Sequence, residues 1–194
     1  MQVFQEVIAQ SSKEWIDMVL ANFDDFLRDH ADNERKASSM AMSFIAKYPN
    51  RVEIIPELIR IALEELEHFQ QVYGIMEKRG VELTHSIGKD IYMEQLIKSC
   101  RNGRDERFMD RLLIASVVES RGRERFKKVA AALKDTELGE FYKNLWIEES
   151  RHANVFVEMA NTYFDNDDVL ERLDFWNKRE SEIFVGLEIR AVLH

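Results

Sequence analysis

The sequence is poor in cysteine, proline and glycine, with one Cys, two Pro and seven Gly among 194 residues. Because one cysteine cannot form an internal disulfide or a Cys-x-x-Cys metal or redox motif, we expect a reducing, cytoplasmic location. The scarcity of glycine and proline favours long helices over a fold with many turns. The sequence also lacks an apolar run long enough to cross a bilayer, and its N-terminus lacks the pattern of a signal peptide.

Basic residues are also in the minority, with 27 Lys and Arg against 36 Asp and Glu, for a net charge of −9. A nucleic acid would therefore need a local cluster of cations to bind. The sequence has no glycine-rich dinucleotide motif and no cysteine set for an iron–sulfur centre, so redox chemistry would require electrons from another protein. Its length and composition indicate one globular domain over residues 1–194.

The periodicity of apolar residues predicts an all-α fold. A capping box of Ser11 and Glu14 is expected to open a short first helix. Prolines, glycines and polar breaks divide the rest of the chain into further helices. The predicted helices cover about residues 23–48, 53–79, 89–100, 105–133, 136–163 and 169–193, with a loop at 80–88. Four long helices with shorter accessory helices indicate a helix bundle.

Two of the long helices carry a Glu three residues before a His. Residues three apart share a helix face, so the carboxylate and the imidazole of each pair can converge on one point. Such a donor pair suits iron, manganese or zinc. The pairs are Glu65 with His68 and Glu149 with His152.

A third Glu-x-x-His pair is interpreted differently. Glu82 and His85 lie in the glycine-bounded loop at 80–88, where no apolar periodicity surrounds them. We interpret this pair as a chance match with no role in metal binding.

A further Glu precedes each helical pair by the length of one long helix and its turn. Glu34 lies 31 residues before Glu65, and Glu119 lies 30 residues before Glu149. This spacing predicts two antiparallel helical hairpins, each with a Glu facing a Glu-x-x-His pair. Helical phase puts all four glutamates on core-facing stripes. The neighbouring Glu64, Glu67 and Glu148 fall out of phase and are predicted to be solvated or to lie behind the ligands.

Four buried carboxylates repel one another unless cations compensate them. Two divalent metals carry +4 against the −4 of the carboxylates, and the two imidazoles can remain neutral. The alternative is compensation by buried Arg or Lys, but only Arg123 lies close to a stripe, and one cation cannot balance four carboxylates. Two Glu and two Glu-x-x-His pairs are typical of ferritin-like di-iron and di-manganese proteins. We therefore expect a ferritin-like four-helix bundle.

The ligand pattern leaves several chemistries open. Redox-inert metals would act as Lewis acids for hydrolysis. Two Fe(II) ions could supply two electrons to O₂. Ferroxidases, oxygenases, manganese catalases and radical-generating proteins can all use such ligands, so the pattern alone does not choose among them.

The residues around the ligands resemble those of one family, the tRNA 2-methylthio-isopentenyladenosine hydroxylases, which are ferritin-like non-haem di-iron monooxygenases. NERKAS, EELEHF, VESRGRERF and EESRHA carry the resemblance, which extends over essentially the whole chain. It implies O₂-dependent hydroxylation of the isopentenyl group of a modified adenosine beside the tRNA anticodon. It also implies two irons per chain, an external electron-donor protein and six iron ligands. These ligands are Glu34, Glu65, His68, Glu119, Glu149 and His152.

A tRNA substrate requires a cationic approach surface, and the sequence offers two groups of cations. The first comprises Arg101, Arg104, Arg107 and Arg111. The second comprises Arg121, Arg123, Arg125, Lys127 and Lys128. For any one of these residues, a solvated helix face with ion pairs such as Glu124 with Lys128 explains the charge equally well. For the protein as a whole, the alternatives are iron storage, oxidant detoxification and a structural helical bundle.

Overall fold

The computed structural model describes residues 6–83 and 90–193, and in these residues the chain is all-α. These described residues form seven α-helices and one short 3-10 helix. The α-helices are α1 (Lys13–Ala21), α2 (Phe23–Lys47), α3 (Ile55–Arg79), α4 (Ile91–Lys98), α5 (Arg104–Ala132), α6 (Glu137–Asn161) and α7 (Asn166–Val185). Each described helix is too short or too polar to cross a membrane.

One compact unit contains residues 17–83 and 190–193. In it, α2 and α3 form the first predicted hairpin and pack along each other. The 3-10 helix Val52–Ile54 leads into α3, and Pro56 lies in the first turn, where a missing backbone N–H costs nothing. Gly80 ends α3 in the left-handed conformation, with φ of 69°. Glycine adopts this conformation without a Cβ clash, which makes it a good helix terminator.

The other compact unit contains residues 6–16 and 90–189. Here α5 and α6 form the second predicted hairpin, and α7 packs against α4, α5 and α6. Helix α5 is buried along much of its circumference because α6 and α7 both contact it. Thr136 caps α6, since its hydroxyl accepts a hydrogen bond from the backbone N–H of Gly139 at 3.0 Å. The prediction of one domain over the whole chain stays a prediction.

The first helix begins differently from the prediction. The hydroxyl that caps α1 belongs to Ser12, which accepts a hydrogen bond from the backbone N–H of Trp15 at 3.3 Å. Ser11 is buried, and both its backbone N–H and its hydroxyl donate to the carboxylate of Glu124, at 2.9 and 2.7 Å. The predicted capping box of Ser11 and Glu14 is therefore wrong, because a distant carboxylate on α5 engages Ser11 instead.

The last helix also differs from the predicted range 169–193. It begins at Asn166, because the Asp165 carboxylate caps it by accepting from the N–H of Asp167 at 2.9 Å. It ends at Val185, and Gly186 closes it. The apolar residues beyond the glycine continued the helical period in the sequence, but they do not extend the helix.

A buried ion pair joins α5 to α7 inside the second unit. The guanidinium of Arg121 donates two hydrogen bonds to Glu180, at 2.8 and 3.1 Å, and one to Glu124 at 3.1 Å. The Tyr92 hydroxyl donates to Glu180 at 3.1 Å. Burial and the Glu180 charge raise the pKa of Tyr92 well above its usual value. The ring of Phe184 lies 3.6 Å from the Arg121 guanidinium carbon, so the cation is enclosed by an acid and an aromatic face.

The Glu180→Ala variant should lower the free energy of unfolding by about 3 kcal/mol, because it leaves Arg121 buried with one bond to Glu124. Urea denaturation followed by circular dichroism measures the change. Lys178→Ala, which breaks the exposed pair with Asp174 on the same helix, should change it by less than about 1 kcal/mol. Equal destabilisation by both changes would contradict the assignment of Arg121 and Glu180 as the pair that anchors α7.

Candidate metal centre

The hairpin of α2 and α3 brings three of the predicted ligands together. Glu34 lies on α2, while Glu65 and His68 lie one turn apart on α3, and all three are buried. The Nδ1 atom of His68 is 3.7 Å from a Glu34 carboxylate oxygen and 3.6 Å from one of Glu65. One ligand atom from each residue lies within 4.8 Å of the others, so one metal ion could contact all three.

A second histidine, which the sequence analysis missed, supports this cluster. His30 is fully buried, and its Nε2 lies 2.6 Å from the other carboxylate oxygen of Glu34. His30 precedes Glu34 by four residues, so both side chains lie on the same face of α2. That spacing was visible in the sequence, but a search for Glu-x-x-His pairs does not detect it. The contact fixes the orientation of the Glu34 carboxylate.

The hairpin of α5 and α6 repeats the arrangement inside the other unit. Glu119 lies on α5, while Glu149 and His152 lie one turn apart on α6, and all three are buried. The Nδ1 atom of His152 is 3.1 Å from a carboxylate oxygen of Glu149. Ligand atoms of these three residues also lie within 4.8 Å of one another. Each hairpin thus contains two carboxylates and the imidazole of a Glu-x-x-His pair, and the first hairpin also contains His30.

Each hairpin is also fastened by a serine hydroxyl near the ligands. The Ser38 hydroxyl on α2 donates to the backbone carbonyl of Ala62 on α3 at 2.7 Å. The Ser116 hydroxyl on α5 donates to the carbonyl of Ala153 on α6, also at 2.7 Å. Both bonds lie within about one turn of a Glu or His of the cluster. They fix the axial register between the two helices, which determines whether the side chains meet.

The predicted stripes lie in the core, as helical phase indicated. Their buried members include Ala31, Ala41, Phe44, Leu58, Ile61, Val72, Leu112, Phe126, Tyr142, Leu145 and Phe156. Glu67 and Glu148, which phase put outside the stripes, are exposed. Glu64 lies at an intermediate depth and pairs with Arg60. Phase therefore separated the buried glutamates from their exposed neighbours on the same helices.

The donor set fits divalent metal ions better than compensation by buried arginine. In the described part of the chain, the buried cationic side chains are Arg121 and Arg125. Arg121 binds Glu180, and Arg125 donates to the Ser11 hydroxyl and stacks over Trp15 at 4.5 Å. Arg123, the residue that the alternative required, is only half-buried. Carboxylates and imidazoles in an apolar surrounding are the usual ligands of iron and manganese.

Two of the residues predicted to contact tRNA do not lie at the surface. Arg121 has no exposed area, and Arg125 is 6% exposed, so neither guanidinium can reach a phosphate outside the protein. Their place on the buried sides of α5 corrects that part of the prediction. Helical phase did not reveal this, because α5 is covered by α7 as well as by α6. The other predicted contacts are exposed or half-exposed: Arg101, Arg104, Arg107, Arg123, Lys127 and Lys128.

The loop pair of Glu82 and His85 is only partly visible. Glu82 is exposed, and its backbone carbonyl accepts a hydrogen bond from Arg28 at 3.1 Å. His85 lies outside the described residues.

The sequence matches the model of one protein family over residues 1–194, and that family is described as tRNA-(MS2IO6A)-hydroxylase (MiaE). A curated relative from Pseudomonas putida is 34% identical over 169 residues, which cover 87% of this chain and 82% of the relative. Another from Salmonella typhimurium is 26% identical over 134 residues, which cover 69% of this chain and 48% of the relative. Both relatives are named tRNA 2-(methylsulfanyl)-N(6)-isopentenyladenosine(37) hydroxylase.

A solved structure is also similar, a Synechococcus protein described as "Protein 43 with aldehyde deformylating oxygenase activity". The TM-score is 0.90 at 29% sequence identity, and the match covers 96% of this chain and 92% of the other. That neighbour is ferritin-like, so the predicted fold class is confirmed.

The purified protein should bind about two iron ions per chain, and Glu65→Ala or His152→Ala should sharply reduce this content, because each removes a buried ligand atom. Glu67→Ala and Glu148→Ala are matched controls on the same two helices, and they should keep the metal because their side chains are exposed. Elemental analysis of folded, gel-filtered samples gives the metal content. Equal loss of iron in the control variants, or full retention in the cluster variants, would contradict the ligand set.

Proposed function

The chain belongs to the tRNA-(ms2io6A)-hydroxylase (MiaE) family, and we propose that it hydroxylates the isopentenyl group of 2-methylthio-isopentenyladenosine beside the tRNA anticodon. The observation that carries the proposal is the family match over the whole chain. The two buried clusters of carboxylates and imidazole agree with it, because the reaction requires a redox-active centre. The names of both relatives contain this modified adenosine, and they support the proposed substrate.

The six predicted side chains are proposed to hold two iron ions. Glu34, Glu65 and His68 would supply one set of ligands. Glu119, Glu149 and His152 would supply the other, and the charge of four carboxylates would balance two divalent ions. When bound, the iron would supply the oxidising power that an unactivated C–H bond needs, because acid–base groups cannot attack such a bond.

The protein's own side chains would orient the ligands and keep water away. His30 holds one oxygen of Glu34, which leaves the other oxygen directed toward the His68 side. The serine bonds from Ser38 and Ser116 keep each pair of helices in register. The apolar residues of the stripes exclude water from the clusters, which protects an oxidising centre from side reactions.

The proposed reaction has a defined balance of atoms and electrons. One oxygen atom of O₂ enters the C–H bond of the isopentenyl group to give an alcohol, and the other leaves as water. This requires two electrons and two protons from outside. The sequence contains neither a dinucleotide motif nor a set of cysteines, so we propose that a separate electron-donor protein supplies the electrons. With tRNA as its substrate, the enzyme would work in the cytoplasm.

Incubation of the reduced, iron-loaded protein with isotopically labelled O₂ and prenylated tRNA should place one labelled oxygen atom in the modified adenosine. Mass spectrometry of the digested nucleosides detects the label. Transfer RNA without the prenyl group should remain unlabelled, because no suitable C–H bond would reach the site. The Glu149→Ala variant should lose the activity, while Glu148→Ala should keep it, since only the first side chain is buried in a cluster.

The alternatives have distinct outcomes in the same experiment. Iron storage would give many irons per chain and no labelled nucleoside, and detoxification would consume peroxide without labelling tRNA. Because the solved neighbour is described with aldehyde deformylating oxygenase activity, an aldehyde should be tested as a substrate beside the two tRNAs. Absence of label from prenylated tRNA, with iron fully loaded and reducible, would overturn the hydroxylase proposal.

A further inference from the structure

A cluster of arginines surrounds one buried carboxylate at the start of α5. Asp110 is fully buried and accepts hydrogen bonds from the backbone and side chain of Arg101, at 2.8 to 3.2 Å. It also accepts two from Arg172 on α7, at 2.6 and 3.0 Å. Arg107 and Arg111 lie on α5 three residues before and one after Asp110. We call Arg101, Arg107, Arg111 and Arg172 the Asp110 arginine cluster.

Three of these four arginines, Arg107, Arg111 and Arg172, act on the same neighbouring side chain, Cys100. The half-buried thiol of Cys100 has its pKa raised by burial and by the charge of Asp110, and the charges of Arg107, Arg111 and Arg172 oppose that shift. Arg107 also donates to the backbone carbonyl of Arg101 at 3.5 Å. The guanidinium groups are thus neighbours, although they come from α5, from α7 and from the segment before α5.

Nearby carboxylates neutralise the positive charge of this cluster only in part. Asp110 is shared by two guanidinium groups, and its pKa stays below the usual value because the hydrogen bonds from Arg172 and Arg101 outweigh the effect of burial. Within residues 6–83 and 90–193, neither Arg107 nor Arg111 forms an ion pair with a carboxylate. Many other surface cations do, for example Lys143 with Glu140. Free positive charge is therefore concentrated here in a chain whose net charge is −9.

Two acidic side chains lie close to the cluster. Asp105 and Glu106 occupy the first turn of α5, and a Glu106 oxygen is 3.9 Å from Arg101. They disfavour an anion at the first turn itself. Arg107 and Arg111, one turn apart and further along the helix, remain the groups that can meet a phosphate.

An exposed aromatic ring adjoins the cluster. The Arg172 guanidinium carbon lies 3.9 Å from the centre of the Phe175 ring, and Phe175 is 39% exposed. The ring also packs edge-on against the buried Trp176, whose indole N–H donates to Asp110 at 3.3 Å. Phe175 is therefore an exposed apolar ring beside a group of cations. Such faces stack the bases of single-stranded or looped RNA.

We propose that the Asp110 arginine cluster, together with Phe175, is a docking site for the phosphates and one unstacked base of the tRNA substrate. Arg107 and Arg111 would bind backbone phosphates, because the planar guanidinium forms paired hydrogen bonds with phosphate oxygens. Asp110 would act as a positioning residue that holds Arg101 and Arg172 in place. Phe175 would stack on a base and add binding that does not depend on salt.

The inference rests on the proposed function, since it takes tRNA as the ligand. It goes beyond that function by assigning one surface to RNA and by uniting residues from α5 and α7. The second predicted group of cations contributes less to the surface, since Arg121 and Arg125 are buried and Lys128 contacts Glu124.

The test compares the iron-loaded protein with its Arg107→Gln/Arg111→Gln variant in binding to prenylated tRNA at several salt concentrations. The variant should bind about tenfold or more weakly at low salt. Its log–log salt slope should fall by roughly 1.4–1.8, which corresponds to two lost phosphate contacts. A Lys47→Gln/Lys143→Gln variant removes the same charge from exposed positions and should keep both the affinity and the slope.

Phe175→Leu separates stacking from charge. It should weaken tRNA binding by at least about fivefold while the salt slope stays unchanged, and Phe175→Tyr should restore the affinity. The isolated prenylated nucleoside has no phosphate, so all variants should hydroxylate it equally. Equal activity shows that the iron-binding residues are intact in each variant.

The outcomes separate the docking site from the function. If the unchanged protein neither binds nor hydroxylates prenylated tRNA, the proposed function fails. If it does both, while Arg107→Gln/Arg111→Gln binds with the same affinity and slope, only the docking site is overturned. If Phe175→Leu binds tRNA as tightly as the unchanged protein, the proposed contact between Phe175 and a base is overturned.

Discussion

Burial of carboxylates constrains how the helices of both hairpins can pack. Four glutamates lie in apolar surroundings, where a charged side chain is stable only if other groups compensate it. In each hairpin an imidazole lies beside two of these carboxylates, and in α2 His30 adds a further contact. Within each hairpin, the helices that carry the Glu and the Glu-x-x-His side chains bring one ligand atom of each within 4.8 Å of the others.

The two hairpins bury their carboxylates and imidazoles in similar ways. Each has a Glu on its first helix, a Glu-x-x-His pair on its second and a serine hydroxyl bound to a carbonyl on the opposite helix. The residues around the two clusters differ. Helix α5 is also covered by α7 and carries the buried Arg121, whereas α2 uses His30. The repeated elements serve the clusters. Of the elements that differ, His30 orients a ligand carboxylate, and Arg121 contributes to the packing of α5 against α7.

Arginine has three separate roles in the second unit, and each role goes with a different degree of burial of the side chain. Arg121 is fully buried and completes an ion pair with Glu180, so it contributes to stability. Arg172 is partly exposed, joins α7 to Asp110 and supports the exposed ring of Phe175. Arg107 lies at the surface without a carboxylate partner in the described residues, which leaves its charge available to an external phosphate.

Local patterns in the sequence were enough to predict the four long helices, the two hairpins and the side chains of the two clusters. The reason is that a helix has a fixed period: residues three or four apart must share a face, and Glu65 must therefore meet His68. The position of Gly80 and the apolar phase on either side of the glutamates also follow from local rules. These features depend on neighbours within one helix or on one hairpin.

The burial of polar residues on α5, and the partners they have, depend on contacts between distant segments. Arg121 and Arg125 belong to a run of cations that looks solvated in the sequence, but they contact Phe184 on α7, Ser11 before α1 and Trp15 on α1. Ser11 binds Glu124 rather than capping its own helix, and Asp110 gathers arginines from two separate segments. These contacts join residues far apart in the chain, so local periodicity cannot determine them.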